Sequence, residues 1–471
     1  METIQDLTFY LPPIIIAIGG IVVMMVDAYT KKAVTAYWLS VGFLFVALAV
    51  SINDLFRPEG EIFYGLVVHG GTASFGSMLV LLGTFFCVVL CKEYFISIKH
   101  HMAEVYSMIM FATVGMLLLT TSNNLVSVFL GIETMSIALY VLAGVIKQEK
   151  KSIEAALKYF LLGAFSTGFF LYGIALLYGA AGSTSLEAIG QVTNPGLIYW
   201  AGVSLLLVGF FFKISAVPFH MWTPDVYQGS PTTITAYMST ASKTAVVVAL
   251  ILILGRAFPH IQSEWSSVLS VIAVLTMVLG NLVAIVQDSV KRMLAYSSIA
   301  HVGYILVGLA AGTAAAYDAV LFYLLAYTIM NVGAFGVVAY YERQKGLDFS
   351  LVENYRGLGY KQPLLGVLLS IFLFSLAGIP PFAGFIGKYL VFVAAINEGM
   401  IGLVVLGVLA SAASVYYYLR VMVHLYMKEA ETETEIEQPG AIYKYTLLFL
   451  AVLTVYFGIQ FSGVTELLMG F

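Results

Sequence analysis

Seven residues of this chain have the chemistry to carry a proton. Glu133, Lys213, Lys243 and Lys388 stand inside long apolar stretches, and Lys158, His220 and His301 stand in or beside others. An ionisable side chain in mid-membrane costs about 3 kcal/mol or more, so a series of them on separate helices needs a reason. Burial disfavours the charged form of a lysine, and a nearby carboxylate favours it. A buried lysine whose acidic neighbour comes and goes can therefore load and release a proton near neutral pH. Glu133 in "VFLGIETMSIALY", Lys213 in "FFKISAVPFHMWTPD", Lys243 in "TAYMSTASKTAVVVAL" and Lys388 in "PPFAGFIGKYLVF" fit that use, the plain alternative for each being a structural ion pair. Lys158 lies a few residues from Lys151 and has snorkelling as its plain alternative. His301 has an unperturbed pKa suited to a relay, and His220 follows Lys213 closely; each can equally be a hydrogen-bonded core residue. Arg420 does not deprotonate and reads as structural.

The elements that position these groups follow from composition. The 471 residues are 61% hydrophobic and 10% charged. A soluble chain of this length needs more charge to solvate its surface, so the class is an all-α polytopic membrane protein in a lipid bilayer. The acidic N-terminus does not read as a signal peptide, and the first apolar run is expected to be retained. At ~20 residues per crossing, apolar runs predict about fourteen spans, near 10–27, 34–52, 72–91, 104–121, 124–146, 155–179, 197–217, 230–255, 266–286, 292–312, 315–340, 364–394, 399–426 and 441–462. Orientation follows from the loops. Lys31, Lys32, Lys92, Lys99, Lys147, Lys150, Lys151, Lys291, Arg292, Arg343, Lys345, Arg356, Lys361, Lys428 and Lys444 fall opposite the termini, against Arg57 and Arg256 on the terminal side. Both termini are therefore expected outside, with the basic loops facing the cytoplasm.

Two spans are interrupted. Pro218 and Pro224 are expected to stop the seventh, and "SLAGIPPFAGFIGK" (Ser375–Lys388) interrupts the twelfth. Paired interruptions in two halves point to a transport site, and irregular backbone at that depth is tolerated only inside protein or beside water. The spacings agree with a repeat: Glu133 to Lys213 is 80 residues and His301 to Lys388 is 87. Spans 4–8 and 9–13 then form two five-helix units, inverted because five is odd. The expected division is three N-terminal spans in 1–101, the first repeat in 102–260, the second in 261–428, and an acidic loop with the last span in 429–471. No CxxCxxC cluster, strand-borne GxGxxG or Walker A lysine is present, so the chain itself is expected neither to carry electrons nor to hydrolyse nucleotide. Nothing suggests a nucleic-acid partner.

The segments "GIETMSIALYVLAG", "EAALKYFLLGAFSTGFFLYGIALLYGAAGST" and "KISAVPFHMWTPDVYQGSPTTITAYMSTASKTA" resemble the antiporter-like proton-pumping membrane subunits of respiratory complex I, NADH:quinone oxidoreductase. Looser forms of the third occur in Mrp-type sodium/proton antiporters and membrane-bound hydrogenases. Lysine at 388, where the M branch has glutamate, and a C-terminus without a long lateral helix favour the subunit N branch. The resemblance implies proton translocation driven by quinone reduction elsewhere in the complex. It implies that Glu133 modulates Lys213, that Lys243 is the central connecting lysine, and that Lys388 is the exit lysine. Lys158 resembles a further axial lysine, while His220 and His301 fall at polar relay positions; none of these groups binds metal or cofactor. It places NAD, FMN, iron–sulfur clusters and quinone in other subunits. It implies membrane-arm partners, including a neighbouring antiporter-like subunit, in a bacterial inner membrane with periplasmic termini. The alternatives are an Mrp-type antiporter subunit, a ferredoxin-dependent complex or a membrane-bound hydrogenase, and a purely structural membrane subunit.

Overall fold

The computed structural model describes residues 2–97, 102–344, 348–429 and 437–470. Lys99, His100, His101, Lys345 and most of the acidic run from Glu429 to Glu437 lie outside the described residues. In lipid every backbone amide must find its partner within the protein, and a helix does this by itself. Among the described residues, thirteen helices are long and apolar enough to cross a membrane. The expected fourteenth crossing is the broken twelfth, made of Pro363–Ala377 and Ala383–Asn397. The spans therefore agree with the hydropathy reading, and the chain is an integral membrane protein.

Burial sorts the spans. Thr232–Arg256, Val290–Ala311 and Ala314–Glu342 are almost wholly enclosed by the others. Leu11–Thr30 and Ala33–Asp54 keep broad apolar faces exposed, with Ile18, Met25 and Phe45 outward. The enclosed helices carry the polar groups, because only there can those groups meet each other instead of lipid. Without a hydrophobic drive between helices, close approach rests on small residues. Gly115 in Ala103–Thr120 shows this: a Cβ there would lie 2.5 Å from the Met135 amide and 2.7 Å from the Gly131 carbonyl of the next helix.

The seventh span runs as a helix over Leu197–Ile214, breaks, and resumes over Trp222–Gly229. Ser215 ends the first piece in the left-handed region, φ 68°. Pro218 lies in the break, but Pro224 does not stop a helix as expected. It sits in the first turn of the resumed piece, where backbone donors have no helical acceptor and proline costs nothing. Both breaks contain a cis X–Pro peptide, Val217–Pro218 and Pro380–Pro381. The enclosed Thr232–Arg256 crossing also has a π-helical turn, Met238–Ser242, immediately before Lys243.

On the side of the termini, a short antiparallel hairpin pairs Gly60–Ile62 with Val67–His69, Glu61 opposite Val68. Hydropathy alone left this segment as loop. Asn123 ties it down, donating to Glu61 Oε1 at 2.9 Å and accepting from Arg256 at 3.0 Å.

Candidate proton-transfer site

The expected residues fall into separate clusters. Lys213, 5% exposed, ends the first piece of the seventh span. Its ammonium donates to Ser136 Oγ at 2.7 Å and reaches the Tyr140 hydroxyl at 3.4 Å. Glu133 sits one turn before Ser136 on the same helix and accepts from Thr167 Oγ1 at 2.8 Å. No ion pair within 4.0 Å joins Glu133 to Lys213 among the described residues; Ser136 stands in the carboxylate's place. The break does not leave the carbonyls before Lys213 open. Phe211 O accepts from the Ala216 amide at 2.8 Å, and Phe212 O from Trp222 Nε1 at 3.0 Å. At these two carbonyls the irregular backbone is satisfied inside the protein rather than by water.

Lys243, 1% exposed, has a different setting. It donates to Ser298 Oγ at 2.5 Å and its carbonyl at 3.3 Å, while the Tyr227 ring lies 5.7 Å away. Tyr327 donates to the same Ser298 hydroxyl at 2.9 Å. Asn331 bonds Tyr327 at 3.1 Å and Ser239 at 2.8 Å. Lys243 is thus bound to the tenth span directly and to the eleventh through the Ser298 hydroxyl, in the second expected repeat. No hydrogen bond among the described residues links it back to Lys213. Between them stand Trp222 and Tyr227, whose rings meet edge to face at 6.1 Å.

His301, 1% exposed, continues from Lys243. Its Nδ1 is 2.6 Å from the Tyr323 hydroxyl and its Nε2 3.2 Å from that of Tyr418. Its ring centre is 5.2 Å from that of Tyr327 and 5.8 Å from that of Tyr304. Lys388 closes the row, its ammonium 4.8 Å from the Tyr304 ring centre. That ammonium donates to Leu376 O and Ala377 O, each at 3.1 Å, and to Ser411 Oγ at 2.9 Å. The two carbonyls are those freed where Pro363–Ala377 stops, so Lys388 caps the negative end of its own broken helix. Gly378 makes room: its φ is +83°, and a Cβ there would meet Lys388 Cδ at 3.0 Å. Lys213, Lys243, His301 and Lys388 are therefore buried and hydrogen-bonded, in a row whose gaps are ring contacts.

Lys158 stands apart. Its side chain is 41% exposed and pairs with Glu154 and Asp225, both at 2.7 Å. Asp225 also takes Arg292 at 2.6 Å, which ties the sixth, seventh and tenth spans together. His220 is half-buried in the break, close to the Pro218 backbone, with Nδ1 enclosed and making no hydrogen bond of good geometry among the described residues. Arg420 fastens the thirteenth span to the loop before the tenth through Asp288 at 2.8 Å and Gln287 O at 3.1 Å. Sequence reasoning missed the hydroxyls that hold the lysines, Ser136, Ser298 and Ser411. For Ser298 a signal existed: in "YSSIAH" it precedes His301 by three residues and so shares a helix face with it. It also counted Lys291 as a solvated loop charge, whereas only 3% of that side chain is exposed. No group of three or more metal-ligating side chains occurs among the described residues.

The chain was compared with known proteins. A family model described as NADH:quinone oxidoreductase/Mrp antiporter, TM, matches residues 122–414. NADH-quinone oxidoreductase subunit N of Salinibacter ruber is 47% identical, over 96% of this chain and 93% of the relative. Among solved structures, a chain of respiratory complex I from Thermus thermophilus superposes with a TM-score of 0.84 and 34% identity, covering 97% of this chain and 98% of that one. A chain of the Mrp complex from Dietzia sp. superposes at 0.86 with 20% identity, over 99% of this chain and 96% of that one, and so shares the fold. Residues 122–414 hold Glu133, Lys213, Lys243, His301 and Lys388, so the match covers the whole row just described. On family model, sequence and superposition together, the chain belongs to the NADH:quinone oxidoreductase/Mrp antiporter transmembrane family.

Proposed function

We propose that this chain is the proton-translocating, subunit N-type membrane subunit of an NADH:quinone oxidoreductase. The carrying observation is the enclosed row from Lys243 through Ser298, Tyr327 and His301 to Lys388, in a chain 47% identical to a subunit N. Protons reach Lys213 from the basic side, pass Lys243, and leave toward the side of the termini from Lys388. The residues in roles are Glu133, Lys213, Lys243 and Lys388, with His301 as relay and Lys158 and His220 at its margins. Glu133 acts on Lys213 across the gap that Ser136 occupies, and closure of that gap into an ion pair is the tuning step. Residues 102–260 and 261–428 act as the two inverted half-channels, 1–101 as the flanking helices and 429–471 as the closing segment. NAD, FMN, iron–sulfur clusters and quinone belong to other subunits. Partners are the other membrane-arm subunits, a second antiporter-like subunit among them, in a bacterial inner membrane with periplasmic termini.

The test is proton pumping by the assembled complex in vesicles, with Lys213→Ala and Lys243→Ala. Both are expected to lose pumping. Normal pumping at normal quinone reduction in either variant refutes the proposal.

A further inference from the structure

Lys243 poses a supply question. Among the described residues it has no hydrogen-bonded link to Lys213, and the Trp222–Tyr227 ring pair stands between them. A different route approaches it from the basic face. There, a cleft of about 190 Å³ is lined by Tyr94, Lys151, Gln228, Ser230, Lys291 and Glu342. At its floor the enclosed Lys291 ammonium donates to Glu342 Oε1 at 3.1 Å and Ser230 O at 2.8 Å. Glu342 also takes the hydroxyls of Tyr94, at 3.4 Å, and Thr232. A lysine this enclosed, paired at a polar cleft with a carboxylate whose side chain is 26% exposed, needs an explanation.

Inward of the pair, the end of the broken seventh span and the start of the eighth hold three hydroxyls, Tyr227, Ser230 and Thr233. Each residue is at most 1% exposed, and among the described residues none of the three hydroxyls makes a hydrogen bond of good geometry, although Tyr227 lies beside Ser298 and Thr233 beside the Cys91 thiol. Buried polar atoms left in this way mark ordered water, and a polar site needs only room for one molecule to hold it. The last, Tyr227, is the residue whose ring faces the Lys243 ammonium. Glu342 thus meets this segment at the cleft end through the Thr232 hydroxyl, and Tyr227 meets Lys243 at the other end.

We propose that the cleft at Lys291 and Glu342 is a second, water-filled proton intake, which reaches Lys243 from the basic side without passing Lys213. A proton from water in the cleft binds the Glu342 carboxylate, which Lys291 holds in place. It leaves along water held by Ser230, Thr233 and Tyr227, and ends on the Lys243 amine, returning Glu342 to its ionised form. This rests on the proton-translocation reading.

The experiment measures protons moved per quinone reduced, in vesicles holding the assembled complex, for Glu342→Gln, Glu342→Asp, Thr233→Val and Lys213→Ala. Thr233→Val keeps the shape and removes only a hydroxyl, so it covers the case in which Glu342→Gln fails to assemble. Glu342→Gln and Thr233→Val are expected to lower the ratio at least threefold, and Glu342→Asp to restore most of it. A wild-type ratio in Thr233→Val, or in an assembled Glu342→Gln, overturns the intake. A wild-type ratio there with loss in Lys213→Ala removes the intake alone; a wild-type ratio in all four removes proton translocation as well.

Discussion

Ser298→Ala isolates one step of the row. Ser298 Oγ is the closest partner of the Lys243 ammonium, at 2.5 Å, and it also receives the Tyr327 hydroxyl at 2.9 Å. Alanine removes that oxygen and little else. Tyr327 keeps Asn331 at 3.1 Å, and Lys243 keeps only the backbone carbonyl of residue 298, at 3.3 Å. A hydrogen bond to a charged group contributes about 1.5–3 kcal/mol. At about 1.4 kcal/mol per factor of ten, the protonated lysine loses roughly ten- to a hundredfold in residence. We expect the initial rate of ΔpH formation in inverted vesicles, normalised to complex content, to fall about tenfold, with complex assembly unchanged. Quinone reduction measured in the same vesicles, coupled and with uncoupler, separates a pumping defect from a redox defect. A ΔpH rate within twofold of wild type would falsify the view that Ser298 holds the transferable proton on Lys243.

Further predictions concern the frame and the edges. Gly115→Ala places a methyl against backbone atoms that cannot move aside, so it should cost about 1–3 kcal/mol and lower the temperature at which the complex dissociates on native gels; an unchanged profile contradicts the crossing at Gly115 and Gly131. Lys158→Gln should change pumping less than twofold, since its pairs are partly exposed and such pairs contribute about 0–1 kcal/mol; a loss like that of Lys213→Ala would return Lys158 to the axis. His69, in the outer hairpin, stacks on Phe9 at 4.3 Å and faces Arg57, Asp6 and Glu59. Burial, then the Arg57 charge, holds its imidazole below the ordinary range, and Asp6 and Glu59 oppose this. A depressed histidine stabilises the fold in full above its unfolded value, about 6.5, and the contribution is lost as pH falls through the folded value. After correction for the intrinsic pH dependence of amide exchange, protection over residues 57–70 should therefore fall between pH 7.5 and 5.5 in the wild type and not in His69→Phe; an equal fall in both rejects the histidine as cause.

The spans and breaks were legible because each rests on a one-dimensional signal. Apolar runs of bilayer length marked the crossings, and Pro218, Pro380 and Pro381 marked the interruptions. The burial of Lys213, Lys243 and Lys388 followed from their depth within those runs. What escaped depends on which helix faces which. Lys291 looked like a loop charge because it stands second in its helix, yet its side chain turns into the protein to meet Glu342, 51 residues later. The separation of Glu133 from Lys213 was hidden because Ser136, a residue of no evident chemistry, takes the lysine's bond. Pro224 was misplaced because a proline both ends helices and starts them. The π turn before Lys243 lies in "MSTAS", where nothing in the residue types announces an extra residue in the turn.

The bonds of Lys388 make its charge and its helix break depend on each other. Leu376 O and Ala377 O lack helical partners because the chain stops at Gly378, and the ammonium is what they meet instead. Methionine at 388 strands two carbonyls in an apolar interior, and a continuous helix through 378–382 strands the ammonium. Either change alone is a defect, and the two together cancel much of it. The positions should therefore change in concert or not at all, and a double-mutant cycle across them should return a coupling larger than either hydrogen bond.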